Sequence, residues 1–201
     1  MLKIAVLISG GGSNLKALID AAAEPDFPAR IACVGSDTDA PGLEYARAAG
    51  IPTFVVRPRD SESREEWGEV LAAAIEEHHV GTGPEPGLVL SAGLMRILPP
   101  GFVRKFGPRL INTHPALLPA FPGAHAVRDA LAAGAARTGV TVHVIDEGVD
   151  TGPVLRQAAV DVVPGETEAE LHERIKQLER PLLVQTVREI ALGELELPES
   201  R

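Results

Sequence analysis

Leu2-Lys3-Ile4-Ala5-Val6-Leu7-Ile8-Ser9-Gly10-Gly11-Gly12-Ser13-Asn14-Leu15 decides the fold. Its first half is a nearly unbroken apolar run, as in a central parallel strand buried on both faces. The glycines then allow a tight turn, and Leu15, Leu18, Ile19 and Ala22 recur at helical spacing. Ser13 or Asn14 is the expected N-cap, and Pro25 and Pro28 close the helix. A strand, a glycine loop and a helix start make an anion site: the backbone can be approached closely, and first-turn N–H groups face the ligand with the positive end of the dipole. Phosphate is the natural guest; a tight turn without ligand is the competing reading. Gly10-x-Gly12 opens the dinucleotide fingerprint, but Leu15 stands where its third glycine belongs. Asp37, at the end of the second strand, occupies the place of a ribose-binding acid, so NAD stays open, although a phosphorylated small molecule fits better. No Gly-Lys-[Ser/Thr] follows, so this is not a P-loop.

Working outward, residues 31–35 read as the second strand and residues 42–49 as a helix between Pro41 and Gly50. A third strand covers 53–56. An amphipathic helix over 61–77 is capped by Ser61 or Ser63, with Trp67, Val70, Leu71 and Ile75 on its apolar side. Residues 81–87 read as a Gly/Pro loop, 88–90 as a fourth strand, a short helix follows Pro99-Pro100, and 109–113 form a fifth strand. Such alternation predicts a parallel, doubly wound sheet. After residue 114 the pattern changes. Residues 127–133 look helical, 138–145 alternate as a strand with one wetter face, and 154–163 form another strand. Residues 146–153 are too few for a helical crossover, so that last pair is antiparallel. Thr167 caps one long helix reaching Leu192, with Glu170 at the capping-box position. The fold class is α/β: a doubly wound, mostly parallel, Rossmann-like sheet with antiparallel strands at the C-terminal side.

The chain has 201 residues, enough for one domain over 1–201. Aromatics make up only 3%, so the core is mostly Leu, Val, Ile and Ala. A formal charge of -9 argues against a nucleic-acid surface while leaving room for a local basic pocket. Cys33 is the only cysteine and lies in an apolar run. That excludes an intramolecular disulfide, fits a reducing compartment, and makes Cys33 a buried strand residue rather than a nucleophile. The amino terminus lacks the features of a signal peptide. No apolar run reaches the roughly 18 residues that cross a bilayer. The expectation is a cytoplasmic protein with no membrane and no nucleic-acid partner.

Chemistry is expected at Leu110-Ile111-Asn112-Thr113-His114-Pro115-Ala116-Leu117-Leu118-Pro119. Asn112 and His114 are two residues apart on a strand and share a face, and Pro115 stops the strand. An amide and an imidazole then stand at the carboxyl end of a strand, where open α/β sheets bind ligands. Both can donate to a developing oxyanion, and the imidazole can shuttle a proton. Satisfying strand-end backbone groups is the alternative use of the pair. Asp146-Glu147-Gly148-Val149-Asp150-Thr151-Gly152-Pro153 is either a solvated hairpin or the source of a carboxylate partner; Asp150 is the candidate, since an acid beside an imidazolium favours the charged ring. His78, His79, His125, His143 and His172 show no metal-ligand spacing, so no metal is expected. No Gly-x-Ser-x-Gly elbow is present.

Together with Ala92-Gly93-Leu94-Met95-Arg96-Ile97-Leu98, the parts Ile8 to Leu15, Asn112 to Pro119 and Asp146 to Pro153 of the stretches quoted above resemble, in order and spacing, the motifs of the phosphoribosylglycinamide formyltransferase family, over about residues 3–192. The resemblance implies the formyltransferase fold. It implies transfer of a formyl group from 10-formyltetrahydrofolate, a consumed cosubstrate, to the amine of 5-phosphoribosylglycinamide in purine (IMP) biosynthesis, without a metal. By the same resemblance Gly12, Ser13 and Asn14 hold the ribose phosphate. Lys176, Gln177, Leu178 and Glu179 contact the glycinamide, with Glu179 nearest the amine. Arg64, Met95, Arg96, Ile97, Leu98 and Asn112 line the folate site, and Asp146, Glu147, Gly148, Val149 and Asp150 form the loop over the pterin. Asn112, His114 and Asp150 match the catalytic trio. Residues 1–110 would be the phosphate-binding half, 111–192 the folate and catalytic half, and 193–201 a loose tail. Ala116 replaces the serine usual in His-Pro-Ser-Leu-Leu-Pro, and Gly11 stands where many relatives carry a larger polar residue; both bear on substrate or folate fit.

Methionyl-tRNA formyltransferase and formyltetrahydrofolate deformylase, a hydrolase, resemble the same catalytic module. The first carries an extra carboxyl-terminal tRNA domain and the second an extra amino-terminal regulatory domain. An acidic chain with its first strand at residue 2 and one long helix at its end is expected to be neither. A non-catalytic nucleotide-binding module shares the fold but has no use for a polarised imidazole. Small-molecule substrates are the expected partners, with the chain a monomer or homodimer.

Overall fold

A computed structural model describes residues 1–81 and 87–198. The expected loop at 81–87 falls largely on 82–86, outside the described residues. Five parallel strands come first: β1 (Leu2–Ile8), β2 (Ala29–Ser36), β3 (Thr53–Val55), β4 (Leu88–Ser91) and β5 (Leu110–His114). β6 (Arg137–Val144) runs antiparallel to β5, and β7 (Val154–Asp161) antiparallel to β6. They form one sheet in the order β3-β2-β1-β4-β5-β6-β7.

The alternation of β1 builds a core on each face. Ile4, Val6 and Ile8 pack with Leu15 and Leu18 of α1 (Ser13–Ala22), Leu43 and Ala46 of α2 (Leu43–Ala48), and Leu183 and Val187 of α6 (Glu168–Leu192). Ala5 and Leu7 pack with Trp67, Leu71 and Ile75 of α3 (Arg64–Glu76) and Phe102, Val103 and Phe106 of α4 (Pro100–Phe106). The short α5 (Ala126–Ala132) joins α6 over β6 and β7, where Val127, Val140, Leu171 and Ile175 meet. Cys33 is buried in the α3 side, and burial pushes its thiol up to about 12. Ser63 caps α3 by accepting the Glu66 N–H, and Thr167 and Glu170 form the capping box of α6.

Three local expectations are corrected. β6 has no wet face: every residue after Arg137 is buried, because loops cover the side that carries Thr141 and His143. Val70 is 47% exposed, since Trp67, Leu71 and Ile75 already fill the width of α3 that faces the core. In the expected loose tail Leu197 packs against the α6 side of the core, and residues 199–201 lie outside the described residues.

Candidate active site

The two-residue period of β5 sends Asn112 and His114 to the same face as Leu110, the α4 side, and sends Thr113 to the α6 side. In the antiparallel register Asn112 lies opposite His143 and His114 opposite Thr141. Polar side chains from two strands therefore share one patch, with His114, Thr141 and His143 buried.

Two loops close on this patch. Residues 115–125 turn back from β5, and His114 Nε2 donates to the Phe121 carbonyl at 2.8 Å. Residues 145–153 cross the same face, with Glu147 paired to Arg104 of α4 at 2.7 Å. They bring Asp150 Oδ2 to 3.4 Å from His114 Nδ1, and Asp150 Oδ1 to 3.6 Å from His143 Nε2. The Gly123 N–H donates to Asp150 Oδ2 at 2.7 Å and ties the loops together. Phe121 and Asp150 hold φ of 53° and 54°, a left-handed conformation that costs a non-glycine residue about 1–2 kcal/mol. Gly152 is required by close approach: a Cβ there would lie 1.8 Å from the Val144 carbonyl oxygen.

Burial pushes the pKa of His143 below the ordinary histidine value, against the opposing pull of the Val144 carbonyl and Asp150. The ring is therefore neutral at pH 7. Its Nδ1 donates to the Val144 carbonyl at 2.9 Å, leaving Nε2 a bare acceptor. The amide nitrogen of Asn112, 3.3 Å away, donates to it. One amide N–H is thus occupied and the carboxamide plane fixed, while the other N–H remains a donor. His114 is fixed by its bond to Phe121. A second proton, on Nδ1, makes that ring cationic beside Asp150. The patch can offer an oxyanion one neutral and one charge-assisted donor, with a carboxylate at hand to take and return a proton.

At the end of β1 the backbone supplies the chemistry. Gly12, with φ 69°, caps α1 in place of the expected Ser13 or Asn14, and among the described residues no side chain caps the first-turn N–H groups. A Cβ on Gly12 would lie 2.9 Å from Gly42 Cα, and the Gly42 N–H donates to the Gly10 carbonyl at 3.1 Å. The start of α2 thus braces the loop. Ser13 is exposed, whereas Asn14 is buried with no hydrogen-bond partner for its Oδ1 among the described residues. Free N–H groups at a helix N-terminus suit an anion. Asp37 accepts from Ser9 Oγ at 2.7 Å and from Arg96 Nε at 2.6 Å. Those bonds use one acceptor site on each carboxylate oxygen and tie Asp37 to the ends of β1 and β4. Gly11 faces open space, with room for a larger residue; Ala116 is fully buried, its carbonyl accepting from Thr141 Oγ1 at 2.6 Å.

The remaining expected site residues divide between exposed and packed. Arg64 opens α3 and donates to the carbonyls of Ile97 at 3.1 Å and Leu98 at 2.8 Å. Met95 and Ile97 are 76% and 60% exposed, while Leu98 is buried in the α3–α4 core. Asp146 Oδ1 accepts from the Gly148 N–H and from Thr151 Oγ1, shaping the turn that leaves Val149 exposed. On α6, Gln177 is exposed, Lys176 lies 3.8 Å from Glu173, and Leu178 packs beside Ile175. Glu179 is buried and accepts from Thr113 Oγ1 at 2.5 Å. The strand carrying Asn112 and His114 therefore also holds Glu179 on its other face. Sequence reasoning finds neither that bond nor His143, the Phe121 carbonyl and the Gly123 N–H. Alternation placed Thr141 and His143 on one face of a strand, but only the register with β5 sets them against Asn112 and His114.

A family model described as formyl transferase matches residues 2–187. The chain belongs to the formyl transferase family. This formyl transferase is 51% identical over 189 residues to phosphoribosylglycinamide formyltransferase of Mycobacterium tuberculosis, covering 94% of this chain and 85% of that protein. It is 41% identical to the human trifunctional purine biosynthetic protein adenosine-3 over 199 residues, 98% of this chain but 19% of that protein. The crystal structure of glycinamide ribonucleotide transformylase 1 from Symbiobacterium toebii matches with a TM-score of 0.92 at 40% identity, covering 100% of this chain and 92% of that one. The doubly wound, mostly parallel formyltransferase fold expected from the motifs is the fold observed.

Proposed function

We propose that this formyl transferase moves the formyl group of 10-formyltetrahydrofolate onto the amine of 5-phosphoribosylglycinamide. The products are the N-formyl ribonucleotide and tetrahydrofolate, and the step belongs to purine biosynthesis in the cytoplasm. The observation that carries the reading is the 3.4 Å approach of Asp150 to His114 beside an oriented Asn112. We assign the phosphate to Gly12, Ser13 and Asn14, and the glycinamide to residues 176–179 with Glu179 nearest the amine. The formyl donor is assigned to Arg64, residues 95–98, Asn112 and residues 146–150. Large apolar side chains left exposed on two of these loops, Met95, Ile97 and Val149, suit a flat ring system.

In this reading the amine attacks the formyl carbon, and the carbonyl electrons move onto its oxygen. The free N–H of Asn112 and the Nδ1–H of His114 stabilise that oxyanion. Removing one such donor typically costs on the order of 100- to 1000-fold in rate. The proton lost by the amine passes to Asp150, directly or through His114 or a bound water, and returns to the departing nitrogen, so the balance closes without another reactant. The test is a formyl-transfer assay with and without 5-phosphoribosylglycinamide. N-formyl product formed only with the amine supports the reading. Formate released at an equal rate into water alone would assign hydrolysis and overturn it.

A further inference from the structure

One buried carboxylate has no part in the mechanism above. Asp37, at the end of β2, has a side chain only 4% exposed, and Arg96, which pairs with it, is 52% exposed. Ser9 Oγ, at the end of β1, donates to Asp37 Oδ1 at 2.7 Å and accepts from the Met95 N–H at 2.8 Å. The Ser9 N–H also donates to the Gly93 carbonyl at 3.0 Å. At the far end of the same loop Arg64 holds the carbonyls of Ile97 and Leu98. Residues 93–98 are therefore pinned through the backbone at Gly93, Met95, Ile97 and Leu98, with the side chains of Met95 and Ile97 left outward.

The position matters as much as the bonds. From β1 the strand order runs one way to β2 and β3 and the other way to β4 and β5, which makes the β1–β4 boundary the topological switch point where such sheets bind ligands. Residues 93–98 leave β4 at that boundary. The glycine loop lies on one side; on the other is β5, whose Asn112 pairs with Ser91. A half-exposed arginine on a loop has many rotamers, and its ordering here depends on the carboxylate beneath it.

We infer that Asp37 is a positioning residue for the formyl donor: with Ser9 and Arg96 it holds residues 93–98 in the conformation that presents Met95 and Ile97 to the donor's ring. The inference rests on the reading above that this loop lines the donor site. Asp37→Asn keeps the size of the side chain but loses the charge and one acceptor. It is expected to raise the KM for 10-formyltetrahydrofolate about tenfold, the effect of losing a charge-assisted bond, and to leave kcat and the KM for 5-phosphoribosylglycinamide within about twofold. Amide exchange at Met95 should quicken by a similar factor, about tenfold, because the Ser9 hydroxyl that accepts its N–H loses its carboxylate anchor. Ser9→Ala, which removes the hydroxyl linking Asp37 to the Met95 N–H, carries the same expectation should Asp37→Asn fail to fold. Asp37→Asn/Ser9→Ala should be no worse than the larger single change, since both remove one interaction. An unchanged donor KM in the single variants, additive losses in the double, or a loss confined to kcat would overturn the inference. Ile97→Ser separates the two readings: if it alone raises the donor KM, the loop lines the site and the role of Asp37 falls; if neither it nor Asp37→Asn does, the donor-site assignment falls and takes this inference with it.

Discussion

The glycine loop after β1 and the polar patch on β5 stand at strand ends of the same sheet, yet they are made of different material. The first is backbone: consecutive residues, a glycine at φ 69°, and N–H groups that no side chain among the described residues caps. The second is side chain, gathered from Asn112, His114, His143 and Asp150, and held by bonds that cross between loops, among them those to the Phe121 carbonyl and the Gly123 N–H. A backbone site asks little of distant residues and fails when its own conformation is disturbed. A side-chain site fails wherever a support is removed, however far away in the chain.

Changes in the two regions should therefore separate in kinetics. The largest effect is expected for Asp150→Asn, which keeps shape but removes the counter-charge of His114: kcat should fall on the order of 1000- to 10,000-fold, as when a histidine loses its orienting acid, with binding of 5-phosphoribosylglycinamide retained by calorimetry. Wild-type turnover in that variant would remove Asp150 from the mechanism. Asn112→Ala should follow, with a loss on the order of 100- to 1000-fold in kcat, a smaller rise in the KM for 10-formyltetrahydrofolate and little change in the KM for 5-phosphoribosylglycinamide. Gly12→Ala should behave differently. A Cβ 2.9 Å from Gly42 Cα at positive φ should cost about 1–2 kcal/mol of stability and raise the KM for the phosphorylated substrate while sparing kcat. A kcat loss as deep as that of Asp150→Asn would erase the distinction between the regions.

The smallest effect is a pH dependence of stability. His143 and His172 are both held below the ordinary histidine pKa, in each case chiefly by burial. Below about pH 6.5 the unfolded chain binds protons that these folded rings refuse, so stability is lost as pH falls through the unfolded value. His143→Asn should remove part of that loss, seen as a smaller drop in urea midpoint between about pH 7 and pH 5.5. An unchanged drop would show that His143 does not carry it.

The same contrast explains what the sequence made legible. The glycine loop is local, so its residues could be read in a row; only its cap was misplaced, because a glycine in the left-handed region displaced the usual serine or asparagine preference. The parallel half, the antiparallel pair and the capped last helix followed from periodicity and loop length. Asn112 and His114 could be paired because a strand repeats every two residues. Asp150 could be paired with them only by chemistry and by likeness to a family, because nothing local says that residues 145–153 return across the sheet. His143 escaped because it joins the patch through inter-strand register, and the partners of Asp37, Ser9 and Arg96, escaped because they come from separate loops.

A cocrystal with 5-phosphoribosylglycinamide and a non-transferable analogue of 10-formyltetrahydrofolate tests the central claim most directly. The account predicts the oxygen of the formyl-equivalent group about 3 Å from both an Asn112 amide N–H nitrogen and His114 Nδ1, with the phosphate at Gly12, Ser13 and Asn14. A formyl-equivalent oxygen facing neither residue, with the Asp150 loop closed over the ligand, would contradict it.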